Sequence, residues 1–244
     1  MILAKLEEHG LTKVQELAKE FDVSIETIRR DLEFLEKQSK LKRVHGGAIQ
    51  AAPVMDIADF QIRKDEYLAE KKEVSSFAYH HLPNNSMIFM DSSTTNLEIS
   101  KLYKNGSKKA TIVTNSILIA LELSESTNIE LILLGGKVDS KEKSTYGTNV
   151  LMALNSFHAD YALISTSGIS EDFGITDYNP DLGEIQKLML KNSVNKIIIA
   201  DSSKFNQVSN YKIASFDEIS TIITDSKIKD ETFKKYSSLV EILF

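Results

Sequence analysis

The chain has 244 residues, more than one small module needs, and a formal net charge of −6. It has no cysteine, which excludes disulfides and cysteine-based metal sites, and its five histidines show no metal-ligand spacing. Its longest apolar runs, such as Leu131 to Leu134 and Ile197 to Ala200, are far too short to span a bilayer. We therefore expect a cytoplasmic protein with no membrane partner, no metal and no cofactor.

Residues 1–52 are predicted to form a first, helical domain. Ile2, Leu3 and Leu6 indicate a short helix, and Thr12 with Gln15 has the spacing of a capping box at the start of a second helix. Over residues 1–50, nine Lys and Arg balance nine Asp and Glu, so the acidic excess lies entirely in the rest of the chain. A nucleic-acid partner must therefore be recognised by a local basic cluster and not by overall charge.

The stretch from 23 to 47, VSIETIRRDLEFLEKQSKLKRVHGG, predicts a DNA-contacting helix followed by a basic hairpin. Ser24 is an N-cap residue type, and the helix that it starts should run to about Gln38. Apolar residues recur on one face at the helical period, at Ile25, Ile28, Leu32 and Leu35. Thr27, Arg29 and Arg30 lie off that face, where an arginine fork can bind a guanine edge or a phosphate.

A hairpin should follow this helix. Residues 41–44 alternate like a strand, His45, Gly46 and Gly47 allow a sharp reversal, and residues 48–49 can return as a second strand. The sum predicts a winged helix-turn-helix that binds double-stranded operator DNA as a dimer or tetramer spanning two half-sites. The predicted DNA contacts are Ser24, Thr27, Arg29, Arg30, Lys40, Lys42, Arg43, His45, Gly46 and Gly47. A winged domain that binds a protein partner remains an alternative.

The motif TIRRDLEFLE followed by RVHGGA resembles the N-terminal signature of the DeoR family of sugar-responsive bacterial transcriptional regulators, over roughly residues 1 to 50. The resemblance implies DNA binding by this domain. Relatives usually carry several residues before the first helix, which begins here almost at Met1, so we expect a truncated N-terminus.

Residues 53–72 are predicted to be a linker and a connecting helix. Arg63, Tyr67 and Lys71 lie at i, i+4 and i+8, on one face of a helix that should continue through Ala78. Relatives usually read R-x-x-x-N-x-x-x-K here, so Tyr67 replaces an asparagine. The same pattern also suits a solvated connector with no further function.

From residue 73 to 244 we expect an α/β domain with a mainly parallel sheet and helices on both faces, because short apolar runs alternate with helical patterns. The predicted strands are Met87 to Met90, Thr111 to Thr114, Ile129 to Leu134, Tyr161 to Ser165, Lys196 to Ala200 and Thr221 to Thr224. The predicted helices are Leu97 to Tyr103, Ile117 to Leu123, Val150 to Phe157 and Ile185 to Ser193.

Small polar residues follow four of these strands, where parallel sheets bind ligands. Hydroxyls and backbone N–H groups at a helix N-terminus can hold a phosphate, glycines allow close approach and a lysine can neutralise the anion. The predicted effector-binding residues are Asp91, Ser93, Thr94, Thr95, Asn115, Gly135, Gly136 and Lys204.

D-S-x-T-T, T-N-S, G-G-K and A-D-S-S-K-F, in this order, are similar to the DeoR-type sensor domain. That resemblance implies a fold similar to ribose-5-phosphate isomerase and coenzyme A transferases, and binding of phosphorylated sugars. The chain departs from the family pattern at Ser93 (usually Gly) and Asn96 (usually Thr). Where relatives often read Glu-Ala followed by a lysine, it has Leu182-Gly183 and then Gln186.

Together these features predict a transcriptional repressor of a carbohydrate-utilisation operon, released from operator DNA by a phosphorylated sugar. The alternative is a sugar-phosphate isomerase-like enzyme with an accessory DNA-binding module. Such chemistry needs a positioned acid or base. The candidates by position are Asp91, Glu171, Asp172 and Asp201. Turnover of ribose 5-phosphate would favour the enzyme, and salt-dependent promoter binding the regulator.

Overall fold

In a computed structural model, the chain is described over residues 2–9, 11–37, 41–44, 46–50 and 60–244. The helices of this part are α1 (Ile2–His9), α2 (Val14–Glu20), α3 (Ile25–Lys37), α4 (Phe60–Asp65), α5 (Leu68–His81), α6 (Thr94–Asn105), α7 (Ile117–Leu123), α8 (Thr148–Leu154), α9 (Pro180–Lys191) and α10 (Asp230–Ser237). The strands are β1 (Leu11–Lys13), β2 (Leu41–Val44), β3 (Gly47–Gln50), β4 (Ser86–Met90), β5 (Ala110–Thr114), β6 (Ile129–Leu133), β7 (Lys137–Asp139), β8 (Ser144–Tyr146), β9 (Ala159–Ser165), β10 (Gly168–Ser170), β11 (Gly174–Asp177), β12 (Ser193–Ile199), β13 (Tyr211–Ala214), β14 (Thr221–Ile223) and β15 (Glu241–Leu243). Two predicted DNA contacts, Lys40 and His45, and the side chain of Lys42 lie outside the described part.

The N-terminal domain packs α1, α2 and α3 against an antiparallel sheet in the order β1-β3-β2. Its core is a cluster of apolar side chains that includes Leu6, Leu17, Ile28 and Leu32, all fully buried. Such a stripe on each helix drives packing because apolar area leaves water. The winged helix-turn-helix architecture is confirmed.

Two local predictions for this domain were wrong. Thr12 does not begin a capping box, because it lies in β1 opposite Ala48, and α2 starts at Val14 without a side-chain cap. Ile25 does not join the buried stripe, because it occupies the first turn of α3, where none of the described elements covers it, and it remains 41% exposed. Pairing with a distant strand overrode the local capping pattern.

The structure explains why glycine occupies both positions in the hairpin that follows α3. Gly46 has φ +85°, a left-handed conformation that L side chains rarely adopt, and it lies in the turn between β2 and β3. At Gly47 an added Cβ would lie 2.2 Å from the carbonyl oxygen of Thr12. The hairpin reversal is as predicted, and Gly47 is buried against β1.

The connecting segment forms two helices and not the one predicted. Tyr67 has φ +51° and separates α4 from α5. The Lys71 ammonium donates to the carbonyl oxygens of Arg63 and, at 2.7 Å, of Glu66. It thereby caps the last carbonyls of α4, which have no partner inside that helix. Helix α5 also runs across the predicted boundary at residues 72 and 73.

The second domain contains a seven-stranded parallel sheet in the order β15-β14-β12-β9-β4-β5-β6. Its central strands are buried on both faces, with alternate residues entering two separate apolar clusters. Phe89 joins one cluster, whereas Ile88 and Met90 join the other. Strands covered on both sides are nearly continuous apolar runs, so such strands can be recognised in the sequence. All six predicted strands are present in the structure.

Shorter elements of this domain escaped prediction. They are the hairpin β7-β8, the sheet β10-β11-β13, strand β15 and helix α10. Helix α9 also begins earlier than predicted, since the Asn179 side chain accepts the Asp181 N–H at 3.0 Å and Pro180 fills the first turn. In the described part, no helix is long and apolar enough to cross a membrane.

Candidate functional site

The recognition helix α3 presents its polar side chains to solvent. The Ser24 hydroxyl accepts the Thr27 N–H at 3.1 Å, which confirms the predicted N-cap. At 3.6 residues per turn, Arg30 lies opposite the buried Ile28, and Arg29 lies on the flank of the helix. This geometry points Arg30 away from the core of the domain and into solvent.

The charged neighbours of the two arginines differ. Arg29 pairs with Glu26 at 3.2 Å, whereas Arg30 has no ion-pair partner among the described residues. Phe34, 62% exposed, shares the outer face with Arg30 and was not predicted as a contact. An aromatic or apolar side chain there suits the methyl group of thymine.

The wing, which is the hairpin of β2 and β3, contributes one described basic side chain. Arg43 in β2 is exposed, and its Nε donates to Glu36 at 3.0 Å. That contact ties the wing to α3 and fixes where the guanidinium lies. Gly46 is exposed in the turn, whereas the buried Gly47 serves packing.

The predicted effector residues follow β4, β5, β6 and β12, but they do not all lie together. Parallel strands are about 4.8 Å apart, so Lys204 after β12 and Gly135 after β6 are about 19 Å apart across the sheet. One hexose phosphate cannot reach both. Gly136 has a packing role instead, since an added Cβ would lie 2.6 Å from the Tyr146 carbonyl oxygen.

Asp91, after β4, is the centre of the compact part of this site. Its Oδ1 accepts the Ser93 N–H at 3.2 Å and the Asn96 amide at 2.8 Å. Its Oδ2 accepts the Ser165 N–H at 2.8 Å, the Ser165 hydroxyl at 3.0 Å and the Gln186 amide at 2.9 Å. With five protein donors on one buried carboxylate, Asp91 positions the loops around it.

A second buried carboxylate, Asp177, lies beside Asp91 and was not predicted. The Gln186 amide donates to Asp177 Oδ2 at 3.4 Å as well as to Asp91. Burial, and then the neighbouring Asp91 charge, raise the pKa of Asp177 to about 6 against the opposing backbone and side-chain hydrogen bonds. Little in the sequence pointed to Asp177. Only the nearby departure from the family pattern at Gln186 marked this part of the chain.

The loop that follows Asp91 begins helix α6. The Ser93 hydroxyl caps it by accepting the Asn96 N–H at 3.1 Å. The N–H groups of Thr94 and Thr95 lie in the first turn, where a helix offers no internal acceptor and carries partial positive charge. This arrangement suits an anion.

Basic side chains lie near the same strand ends. Lys204 Nζ lies 4.0 Å from Asp201 and over the ring of Tyr67. Lys71 is buried, and burial, together with the charges of Lys204 and Arg63, lowers its pKa to about 8 against the influence of Asp201. An anion placed here would offset this excess of positive charge.

Helices α4 and α5 both pack on α6 beside the site. Ser92, Ser93, Thr94 and Thr95 are all at least nine-tenths buried. The Ser75 hydroxyl of α5 donates to the Thr95 carbonyl at 3.2 Å. Phe60 of α4 is buried in the same apolar cluster as Leu97 of α6.

Arg63 fastens α4 to two parts of the sensor domain. Its guanidinium pairs with the buried Glu142, in the turn between β7 and β8. It also lies 5.4 Å from the ring centre of Tyr178, the residue after Asp177. Asn115, a predicted effector residue, holds the same hairpin through its amide on the Thr145 carbonyl at 3.1 Å.

The acidic residues considered for catalysis are not gathered in one place. Glu171 and Asp172 lie in the turn after β10, where they pair with Lys235 at 3.1 Å and Lys13 at 2.7 Å. Asp91 instead lies at the end of β4, where five protein donors hold its carboxylate. The Lys13 to Asp172 pair joins the two domains, and exposed pairs of this kind contribute little.

The sequence matches the family model of the DeoR-like helix-turn-helix domain over residues 1–54 and that of the DeoR C terminal sensor domain over residues 66–226. It is 31% identical over 235 residues to the HTH-type transcriptional regulator GolR of Listeria innocua, covering 96% of this chain and 92% of that protein. It is 34% identical over 224 residues to the HTH-type transcriptional repressor GlcR of Bacillus subtilis, covering 92% and 86%. The L-fucose operon activator of Haemophilus influenzae is 31% identical over 244 residues, covering 100% and 96%.

Among solved structures, the chain is similar to the translation initiation factor eIF-2B of Pyrococcus horikoshii OT3, with a TM-score of 0.46 and 16% identity over 64% of this chain and 62% of that one. Ribose 5 phosphate isomerase A from Neisseria gonorrhoeae has a TM-score of 0.41 and 16% identity over 55% and 52%. The curated relatives are named as regulators of transcription and not as enzymes. The chain belongs to the DeoR family and is a DNA-binding regulator of transcription.

Proposed function

We propose that this regulator represses a carbohydrate-utilisation operon and leaves its operator when a phosphorylated sugar binds at the strand ends. One observation carries the effector half of the proposal. The site has a positive side, made by the first turn of α6 with Lys71 and Lys204, and a side rich in acceptors around Asp91 and Asp177. A phosphate fits the first side and sugar hydroxyls fit the second.

In the DNA half, Arg30 and Thr27 enter the major groove on the outer face of α3. Arg29 and Arg43 flank them and contact phosphates, together with the predicted contacts Lys40, Lys42 and His45. One winged domain covers a limited DNA surface, so a homo-oligomer binds two half-sites.

Helix α4 supplies the coupling between the two halves. The loop from Ser92 to Thr95 is buried, and α4 and α5 both pack on α6, which this loop begins, so a ligand that enters here displaces α4 and α5 from α6. In the sequence, only residues 51–59 separate α4 from the winged domain. A displacement of α4 therefore changes the spacing of paired winged domains and lowers operator affinity, as far as the ligand prefers the displaced state.

The experiment has a DNA arm and a ligand arm. Genomic fragments retained by the purified full-length protein are sequenced to obtain the operator, and binding is measured over a series of salt concentrations. We expect steeply salt-dependent binding to a site near a carbohydrate operon. Salt-insensitive binding, or none, would contradict the DNA half.

In the ligand arm, a panel of sugar phosphates is tested for a rise in thermal stability. A panel that changes nothing would contradict the effector half. Transcript levels after deletion of the gene give the sign of regulation, which matters because the relatives include a protein named a repressor and one named an activator. Lower expression of the neighbouring operon after deletion would contradict repression.

A further inference from the structure

Two amide side chains hold the Asp91 carboxylate, one on each oxygen. Asn96 donates to Oδ1 at 2.8 Å and Gln186 donates to Oδ2 at 2.9 Å. Both amides are buried, and the carbonyl oxygen of each has no hydrogen-bond partner among the described residues. Buried acceptors without a donor are rare and costly, so an unpaired acceptor at a binding site points to a donor on a ligand.

The orientation of the Gln186 amide follows from its surroundings. Its nitrogen faces Asp91 and Asp177, and the reverse orientation would place its oxygen against two carboxylates. The unpaired oxygen of Gln186 therefore lies on the side away from the carboxylates. It can accept a hydrogen bond there and cannot give one.

Hydrogen-bond donors, and no described cation, stabilise the two carboxylates on this side of the site. Within the described residues, no Lys or Arg forms an ion pair with Asp91 or Asp177, and both carboxylates are buried. The pKa of Asp177, raised to about 6, reflects that burial and the Asp91 charge. A further negative group placed here would meet like charge, whereas hydroxyls or an ammonium would meet acceptors.

We propose that Asp177 and Gln186 select the sugar part of the effector, admitting neutral and amino-sugar phosphates and excluding phosphorylated sugar acids. The selection rests on the proposed function, since it concerns the same effector site. Gln186 is the specificity-determining residue, because a cation at this position would neutralise the pair of carboxylates. An anionic sugar would then be tolerated.

The test is calorimetric titration of the full-length protein with glucose 6-phosphate, glucosamine 6-phosphate and 6-phosphogluconate near neutral pH. For the wild-type protein we expect 6-phosphogluconate to bind at least about tenfold more weakly than the better of the other two. This comparison needs no variant, so it stands even where a substitution unfolds the site.

Gln186→Lys should improve the affinity for 6-phosphogluconate. The ratio of its dissociation constant to that of the better of the other two sugar phosphates should therefore shrink or reverse. The matched control is Glu184→Gln, which makes the same change in net charge on the outer face of α9. It should leave the ratio as it is in the wild-type protein. An unchanged ratio in Gln186→Lys, if that variant folds, would overturn the role of Gln186.

The outcomes separate the two proposals. If 6-phosphogluconate binds the wild-type protein as tightly as the other two, the selection is overturned and the sensing of sugar phosphates stands. If none of the three binds wild type or variant, the selection is overturned, whereas the sensing of sugar phosphates is overturned only by a full panel that leaves the thermal stability unchanged.

Discussion

Replacing Asp177 with asparagine should remove a pH-dependent loss of stability. Burial raises the pKa of Asp177 from 3.8 to about 6, so the native state holds this proton more tightly than the unfolded state. The protonated side chain therefore favours folding at low pH. That advantage falls as the pH rises from about 3.8 and is gone above about 6, where the carboxylate is ionised in the folded and the unfolded state alike.

The size of the pH-dependent loss of stability follows from the shift in the pKa of Asp177. A difference of about 2.2 pKa units corresponds to about 3 kcal/mol of unfolding free energy. About 2 kcal/mol of this should be lost between about pH 4.5 and about pH 7.5. The asparagine of the variant cannot ionise, so replacing the contacts that Asp177 makes with Ser167, Tyr178 and Gln186 changes the stability by an amount that does not depend on pH.

The assay is urea unfolding, followed by circular dichroism, at several pH values across that window. The measured quantity is the difference in unfolding free energy between wild type and Asp177→Asn, because other groups then cancel. Asp181→Asn, which removes an exposed carboxylate in the first turn of α9, is the matched control. If wild type and Asp177→Asn give parallel profiles, the buried carboxylate does not have a raised pKa and the reasoning fails.

Two further substitutions test the DNA-binding domain. Arg30→Ala should weaken operator binding by roughly 1–3 kcal/mol and relax specificity at one base pair, whereas Arg29→Ala should weaken binding to all sequences and reduce the salt slope, both measured by fluorescence anisotropy. Equal effects of the two would contradict the assigned orientation of α3. Gly47→Ala places a Cβ 2.2 Å from the Thr12 carbonyl oxygen and should abolish DNA binding while the sensor domain stays folded. Gly135→Ala, where an added Cβ meets no atom of the described residues within 4 Å, is its control and should bind DNA normally.

The sequence predicted those elements whose formation depends on residues close together in the chain. The apolar period of α3, its Ser24 cap and the runs of the parallel sheet are each contained in a short segment, and each is present in the structure. Strand β1 could not be predicted from its local sequence. Thr12 pairs with Ala48, far along the chain, and that pairing displaced the predicted cap.

The candidate effector site shows the same limit of local sequence patterns. Ser93 was predicted from its local sequence as part of a phosphate-binding loop, and in the structure its hydroxyl caps α6. The contact between Gln186 and Asp91 joins residues 95 positions apart, and nothing near either residue signals the other. Asp177 was missed because the polar strand β11 has no apolar alternation long enough to mark the position.

The central claim is that a sugar phosphate at the strand ends changes the affinity of the winged domains for DNA. The direct measurement is the operator dissociation constant with and without a sugar phosphate that stabilises the protein. We predict that the ligand weakens operator binding by about 5- to 150-fold, and that operator DNA weakens ligand binding by the same factor. A ligand that saturates the protein and leaves the operator dissociation constant unchanged would contradict the account.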